Sequence, residues 1–324
     1  MELFARFSSH LAETGLLEGA EHVVVACSGG GDSTALLILL REWARESGVP
    51  LVAMHVLHGL RGRAGEEDAV FCARLASDLG LPFGSRPIDV PSNRGAGESL
   101  EAAARRLRYE ALLALAAEIG ERTLVATGHT LDDQAETVLL NLHRRAGRTR
   151  GGIRARREDG VVRPLLPFSR AELRSFLAGR AVRWREDETN ENERLLRNRI
   201  RRRELPALEG AWPGVSVRLA RAGAAWSLRL EALDRTIDAA LEKAGIGREG
   251  PWPRSLVTGL GPDGAARLLV RAAGTRGGVP GRVQLARVVS RLFGGEPRLA
   301  ESLAGLRLSA DSRVVRITRR PVRP

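Results

Sequence analysis

The run Ser28-Gly29-Gly30-Gly31-Asp32-Ser33 constrains this chain more than any other feature. It follows directly on the apolar stretch 22–27 and leads straight into a second one, 34–40. A strand that ends in three glycines and resumes as a helix aims free backbone N–H groups, and the positive end of the helix dipole, at one point. Glycine lets the backbone take positive φ and approach an anion closely. Ser28 and Ser33 add hydroxyl donors. The expected structure is a phosphate cradle at the carboxyl end of a buried strand. No Lys-Ser/Thr pair closes the run, so it is not a Walker loop, and G-x-G-x-x-G is not its pattern.

Around this turn, strand and helix patterns alternate. Strands are expected at 22–27, 51–57, 83–90 (weaker) and 123–127, with helices at 33–45, 65–79, 98–119 and 131–143. Such alternation implies a parallel sheet with helices on both faces and ligands at the strands' carboxyl ends. A Gly/Arg loop over 146–160 reads as a mobile segment. An edge strand over 161–168 is restricted by Pro164 and Pro167. Ser169 is placed to cap a helix running to Leu177. A basic helix over 194–205 should stop at Pro206. From about Val215 the pattern turns helical, over 215–243, 262–274 and 282–293, with one or two strands in 306–317. The expected architecture is an α/β, Rossmann-like parallel sheet over 1–205, followed by a smaller, mostly helical domain over 206–324.

Charge is unevenly placed. The chain carries a net +12, and residues 144–203 hold 19 Arg and no Lys against 8 Asp and Glu, a surplus of +11. Guanidinium groups pair bidentately with phosphate and stay charged, so this block points to a nucleic-acid backbone. Lys243 is the only lysine, so part of the arginine richness is compositional bias, but bias does not explain its concentration in one segment. The two cysteines, Cys27 and Cys72, form neither a disulfide framework nor a C-x-x-C pair, which suggests a reducing cytoplasm. No apolar run reaches membrane-spanning length, and the N-terminus lacks a signal-peptide layout.

A second signature is Gly128-His129-Thr130-Leu131-Asp132-Asp133-Gln134-Ala135-Glu136-Thr137. Gly128 permits close backbone approach to a phosphate, and His129 lies at a strand end. Asp132, Asp133 and Glu136 are either chemistry or good residues for a helix N-terminus by dipole alone. Three more blocks follow the same order of motifs: His55-Val56-Leu57-His58-Gly59-Leu60-Arg61, the helical Glu101-Ala102-Ala103-Ala104-Arg105-Arg106-Leu107-Arg108-Tyr109, and Asp187-Glu188-Thr189-Asn190 ahead of Leu196-Arg197-Asn198-Arg199-Ile200-Arg201.

The set resembles the tRNA(Ile)-lysidine synthase family of PP-loop, or N-type ATP pyrophosphatase, enzymes. It does so strongly over about 20–205 and only in outline beyond. The resemblance implies that ATP and Mg²⁺ activate C2 of the wobble cytidine of a CAU-anticodon tRNA(Ile). L-lysine then displaces AMP to form lysidine. It also implies roles for residues. Ser28, Gly29, Gly30, Gly31, Asp32, Ser33 and Gly128 would bind ATP, with Asp32 also on the metal. His129 would lie near the α-phosphate. Asp132, Asp133 and Glu136 would lie near the activated base and the lysine amine. Arg105 and Arg108 would stabilise the adenylyl group or hold tRNA phosphate. Arg197, Asn198 and Arg201 would contact tRNA. About 110 residues follow Gly214, room for one small domain, so acceptor-stem recognition would then rest on this domain or be weaker. Oligomeric state is not legible from sequence.

Alternatives exist for several of these residues. Glu101 could pair with Arg105 or Arg108 along the helix, Glu136 could serve as a cap, and His55 and His58 could merely shape a strand end. Three rival functions compete. A PP-loop tRNA thiolase would use the same loop, but the cysteines are far apart in sequence. A glutaminase-coupled synthetase would need a catalytic Cys-His pattern. A non-catalytic RNA-binding protein would not need Asp32 or Asp132-Asp133.

Overall fold

The computed structural model describes residues 2–59, 62–144, 151–186, 196–278 and 280–319. Leu60 and Arg61, the start of the Gly/Arg loop, and the Asp187-Glu188-Thr189-Asn190 block lie outside the described residues. The chain divides into two compact units, 1–134 with 154–211, and 135–153 with 212–324.

The first unit opens with helix α1 (Glu2–Thr14), for which the sequence reading gave no element. Strands and helices then alternate: β1 (His22–Ala26), α2 (Gly31–Ser47), β2 (Leu51–Leu57), α3 (Arg63–Asp78), β3 (Phe83–Pro87), α4 (Leu100–Ile119), β4 (Thr123–Ala126) and α5 (Leu131–His143), the last continuing into the second unit. After them come β5 (Val161–Val162), α6 (Arg170–Ala178), α7 (Leu196–Arg199) and α8 (Leu205–Ala211). The sheet is parallel in the order β3-β2-β1-β4-β5.

Chain progression reverses between β1 and β4, so the turn after β1 and the turn after β4 share the crevice where open α/β sheets take ligands. Alternation along β1 sets both faces: Val23 and Val25 join one apolar layer and Val24 the other. Helix α2 is buried continuously from Ser33 to Leu40. That is why its sequence is apolar all round rather than striped, and it fixes the start of the helix rigidly beneath the glycine turn.

Two expectations need adjusting. The edge strand expected over 161–168 pairs only at Val161 and Val162, because Pro164 has no N–H for a ladder and the chain turns at once. Pro206 does not stop the basic helix. Residues Ile200–Glu204 form a π-helical turn in which the Leu205 N–H bonds to the Ile200 carbonyl, and Pro206 then sits in the first turn of α8. The wider turn makes room for a ring that would otherwise crowd the preceding carbonyls.

The second unit is mostly helical: α9 (Val215–Lys243), then β6 (Trp252–Pro253), α10 (Arg254–Gly259), α11 (Gly261–Gly274) and α12 (Arg282–Phe293). It closes with β7 (Leu299–Leu303), β8 (Leu306–Ala310) and β9 (Val314–Arg319) in an antiparallel sheet ordered β6-β9-β8-β7. Ile237, Trp252, Leu268, Val288, Leu308 and Ile317 share its core. The sheet is larger than the one or two expected strands. In β7 only the end residues Leu299 and Leu303 are buried, so its sequence shows no alternation to read. No helix among the described residues is long and apolar enough to cross a membrane.

Candidate active site

The 28–33 run forms the expected strand–turn–helix. Gly29 takes φ +83°, the left-handed conformation that a side chain would strain. The two serine hydroxyls tie the turn together. Ser33 Oγ donates to the Gly30 carbonyl (3.0 Å) and accepts from the Ser28 N–H (3.1 Å), while Ser28 Oγ lies 3.0 Å from Ser33 Oγ. An extended segment that the sequence reading missed lies over this turn. The Arg185 N–H bonds to the Gly29 carbonyl (2.9 Å) in a parallel bridge, and Arg185 is anchored in turn by Asp68 and Glu67 of α3. Trp184 lies against Gly31, 3.5 Å from where a Cβ would stand.

Gly128 has a second reason to be glycine besides approach to a phosphate. A Cβ there would come within 3.2 Å of the Asp32 carbonyl and the Ser33 backbone nitrogen. The turn after β4 therefore packs backbone to backbone on the first turn of α2, which places His129 and Asp132-Asp133 beside the cradle.

The acidic residues converge on a residue absent from the sequence-derived set, Arg170, at the start of α6. Its Nη2 meets Asp133 Oδ1 at 2.5 Å, its Nε meets Asp32 Oδ2 at 3.3 Å, and its backbone N–H donates to Asp132 Oδ2 at 2.8 Å. The position of Arg170 is secured by the Ser169 cap. Ser169 Oγ accepts from the Glu172 N–H (3.2 Å), and Glu172 Oε2 accepts from the Ser169 N–H (2.8 Å), a reciprocal capping box. Asp133 also closes the start of α5, accepting from both the Thr130 N–H (2.9 Å) and hydroxyl (3.0 Å). Its helix-capping and site-building roles thus coexist.

These surroundings split the two carboxylates. Burial pushes the Asp133 carboxyl up, but Arg170, Arg197 and the Thr130 N–H outweigh it and bring the group down to about 2. At Asp32 burial dominates and raises the carboxyl above its ordinary value, with Asp133 adding to the effect and Arg170 and Arg201 opposing it. Arg197 reaches Asp133 at 3.3 Å. Of the three residues read as tRNA contacts, Arg197 therefore points into the acidic cluster, and Arg201 is close enough to act on Asp32 electrostatically. Glu136 is buried on the part of α5 that belongs to the second unit.

His129 is held neutral. Burial lowers its pKa well below the ordinary value, and Arg163, Arg105 and Arg108 push the same way against Asp133. The hydrogen bonds select one tautomer. The Thr127 hydroxyl faces the Val162 carbonyl (3.5 Å), so Nδ1–H donates to Thr127 Oγ1 (3.0 Å) and Nε2 accepts from Arg105 Nη2 (3.4 Å). Arg105 and Arg108 of α4 both stack on Tyr109, with guanidinium carbons 5.3 and 5.5 Å from the ring centroid.

The cysteines, far apart in sequence, are neighbours in space. Cys72 Sγ lies 3.6 Å from the Cys27 carbonyl and 3.6 Å from His55 Nδ1. Sequence distance is therefore no argument against thiolation chemistry. Their burial is one, since they are 3% and 0% exposed. A hydrogen bond with Cys27, then burial, pushes the Cys72 thiol up.

A family model described as the PP-loop domain matches residues 3–208. The chain belongs to the PP-loop family. Among curated relatives of this PP-loop protein, the tRNA(Ile)-lysidine synthase of Thermus thermophilus is 44% identical over 220 residues, 68% of this chain and 42% of the relative. That of Geobacter sulfurreducens is 40% identical over 237 residues, 72% of this chain and 50% of the relative. The matched stretch thus spans half or less of those relatives. A solved structure, the U34-tRNA thiolase NcsA of Methanococcus maripaludis with its [4Fe-4S] cluster, superposes with a TM-score of 0.56 at 18% identity, covering 71% of this chain and 81% of that one. At that identity the likeness speaks for the fold alone.

Proposed function

We propose that this chain is an ATP-dependent tRNA(Ile)-lysidine synthase, which adenylates C2 of the wobble cytidine of a CAU-anticodon tRNA(Ile) and transfers lysine to it, releasing AMP and pyrophosphate. The observation that carries this reading is the identity of 40–44% to enzymes of that name across the unit that holds the glycine turn, Asp132-Asp133 and Arg197. The site chemistry supports it. The 28–33 turn offers backbone N–H groups to the β- and γ-phosphates. Asp32, a partly exposed carboxylate beside that cradle, would be the residue that holds Mg²⁺ with the nucleotide. Among the described residues no three acidic, imidazole or thiol groups gather into a metal site of their own, and Mg²⁺ on a nucleotide does not need one. When bound, the ion supplies charge stabilisation at the phosphates.

The remaining residues divide by charge. Arg105 and Arg108 face the negative charge that builds on the transferring adenylyl group. Neutral His129 presents Nε2 toward Arg105 and so orients that guanidinium. Asp133, ionised throughout the physiological range, is too weak a base to take a proton from an ammonium group. Its role is to attract and orient the cation of lysine. Asn198 and Arg201 face the RNA, while Arg197 divides its charge between Asp133 and the substrate.

The test uses ATP labelled at the α-phosphate. AMP release should require both a CAU-anticodon tRNA and lysine, and omission of lysine should leave label on the RNA. Formation of ADP, or AMP release without RNA, would overturn the reading. The buried cysteines make the thiolase reading the weaker one.

A further inference from the structure

Tyr109, the only tyrosine of the chain, is buried on α4 and ringed by arginines. Arg105, Arg108 and Arg157 lie over its ring, with guanidinium carbons 5.3, 5.5 and 4.7 Å from the centroid. Its hydroxyl oxygen accepts twice, from Arg163 Nη2 (3.4 Å) and from Arg105 Nη2 (3.5 Å). Arg163 is 4% exposed, and its other amino group is tied to the Arg154 carbonyl (2.6 Å). It is therefore fixed in place behind the ring.

A phenol has one donor and two acceptor lone pairs. Both lone pairs of Tyr109 are engaged, so its remaining hydrogen-bonding capacity is O–H donation. Among the described residues no acceptor receives that proton. Nor is the surrounding charge balanced. Of the four guanidinium groups around Tyr109, Arg157 alone has a carboxylate partner among the described residues, Asp159 at 2.5 Å. The Arg163 Nε and the nearby His58 Nδ1 are buried without hydrogen-bond partners. Arg163 is buried, Arg108 and Arg157 are partly buried and Arg105 is exposed, so the cluster is open to solvent on the Arg105 side, and a donor set of this kind is complementary to an oxyanion. The same Arg105 guanidinium touches His129, which puts the Tyr109 hydroxyl within one side chain of the candidate active site.

The geometry points to Tyr109 as a hydrogen-bond donor to a phosphate oxyanion, which it binds together with Arg105 and Arg108, with Arg163 as the residue that positions its hydroxyl. The chemistry fits either the phosphate of an adenylyl group or a phosphodiester of bound RNA. The inference rests on the proposed reaction only for the source of that phosphate. The cations also lower the Tyr109 pKa against the upward push of burial, so the hydroxyl is a stronger donor than an ordinary phenol.

A single tyrosine makes the test direct. Phenolate absorbance near 295 nm in the full-length chain reports Tyr109 alone. Donation to an oxyanion stabilises the neutral phenol, so a ligand bound there raises the titration midpoint. The titration is run on the free chain, with AMP, and with a CAU anticodon stem-loop RNA. At least one ligand should raise the midpoint, and the one that does so identifies the source of the phosphate. Tyr109→Phe should weaken binding of that same ligand about tenfold or more, as expected for a hydrogen bond to a charged group. Arg163→Met should weaken it less and abolish the midpoint shift while the phenol remains. If neither ligand moves the midpoint, or if Tyr109→Phe binds both as tightly as the wild type, the site does not exist. Lysidine formation is not read in this experiment. A midpoint shift without any lysine transfer would leave the oxyanion site standing and remove the proposed reaction.

Discussion

Replacing Arg170 by Met should uncouple the glycine turn from the Asp132-Asp133 motif at a calculable cost. The side chain of Arg170 is 12% exposed, that of Asp133 14% and that of Asp32 26%. Removing one partner of a buried pair typically costs about 3–5 kcal/mol, because a carboxylate is left buried without its counter-charge. Here Asp133 keeps Thr130 and Arg197, and Asp32 is partly open to water, so the lower end, about 3 kcal/mol, applies. For a unit of about 190 residues that corresponds to a fall in Tm of roughly 6–12 °C. Calorimetry at pH 8 measures it. Arg6→Met serves as the control, because the Arg6–Glu172 pair is solvent-exposed, with 50% and 36% of its side chains accessible, and should cost under about 1 kcal/mol.

The effect also has a pH signature. Asp133 has a folded pKa below its unfolded value, so its contribution is complete above about pH 4 and is lost as pH falls toward 2. The gap between wild type and Arg170→Met should narrow over that window. A Tm within 2 °C of wild type, on the order of the shift expected for an exposed pair, would refute the idea that Arg170 is the electrostatic keystone of the site.

Three other outcomes follow from the same geometry. Asp32 has a raised folded pKa, so its ionised form destabilises the ligand-free protein above that pKa. Asp32→Asn should raise the Tm at pH 8, lose that advantage as pH falls below the folded pKa, and abolish pyrophosphate release, which melts at several pH values and a pyrophosphate assay would check. His129 should stay neutral between pH 8 and 6, read as an imidazole carbon shift that does not titrate by NMR in labelled protein with His129→Asn as the assignment control. Gly128→Ala should weaken ATP binding while the fold persists, because the new methyl must push the Asp32–Ser33 backbone away. Isothermal titration with ATP and a circular dichroism spectrum distinguish that outcome from global unfolding.

Much of the fold was legible because its signals are local. The glycine turn announces itself within six residues, Ser169 and Glu172 form a capping box at the standard spacing, and α9 shows helical periodicity throughout. What escaped was long-range. Arg170 lies 138 residues from Asp32, and nothing around Ser169-Arg170 marks the arginine as more than the first residue of a helix. Trp184 and Arg185 cover the turn through contacts with Gly31, Gly29 and α3 that no spacing rule anticipates. Cys27 and Cys72 meet because α3 packs beside the end of β1, which their separation in sequence hides. Pro206 misled for a different reason. A proline is a strong helix breaker only where the preceding turn is an ordinary α-turn, and here that turn is π-helical.

The most direct test of the proposed reaction is nucleoside analysis of the RNA product. The full-length chain is incubated with ATP, isotopically labelled lysine and a CAU-anticodon tRNA(Ile) transcript, the RNA is digested to nucleosides, and these are resolved by liquid chromatography and mass spectrometry. Lysidine should replace the wobble cytidine, carrying the label and appearing with AMP in equal amount. An unmodified cytidine alongside ATP cleavage, or a sulfur-bearing nucleoside when a sulfur donor is supplied, would contradict the assignment.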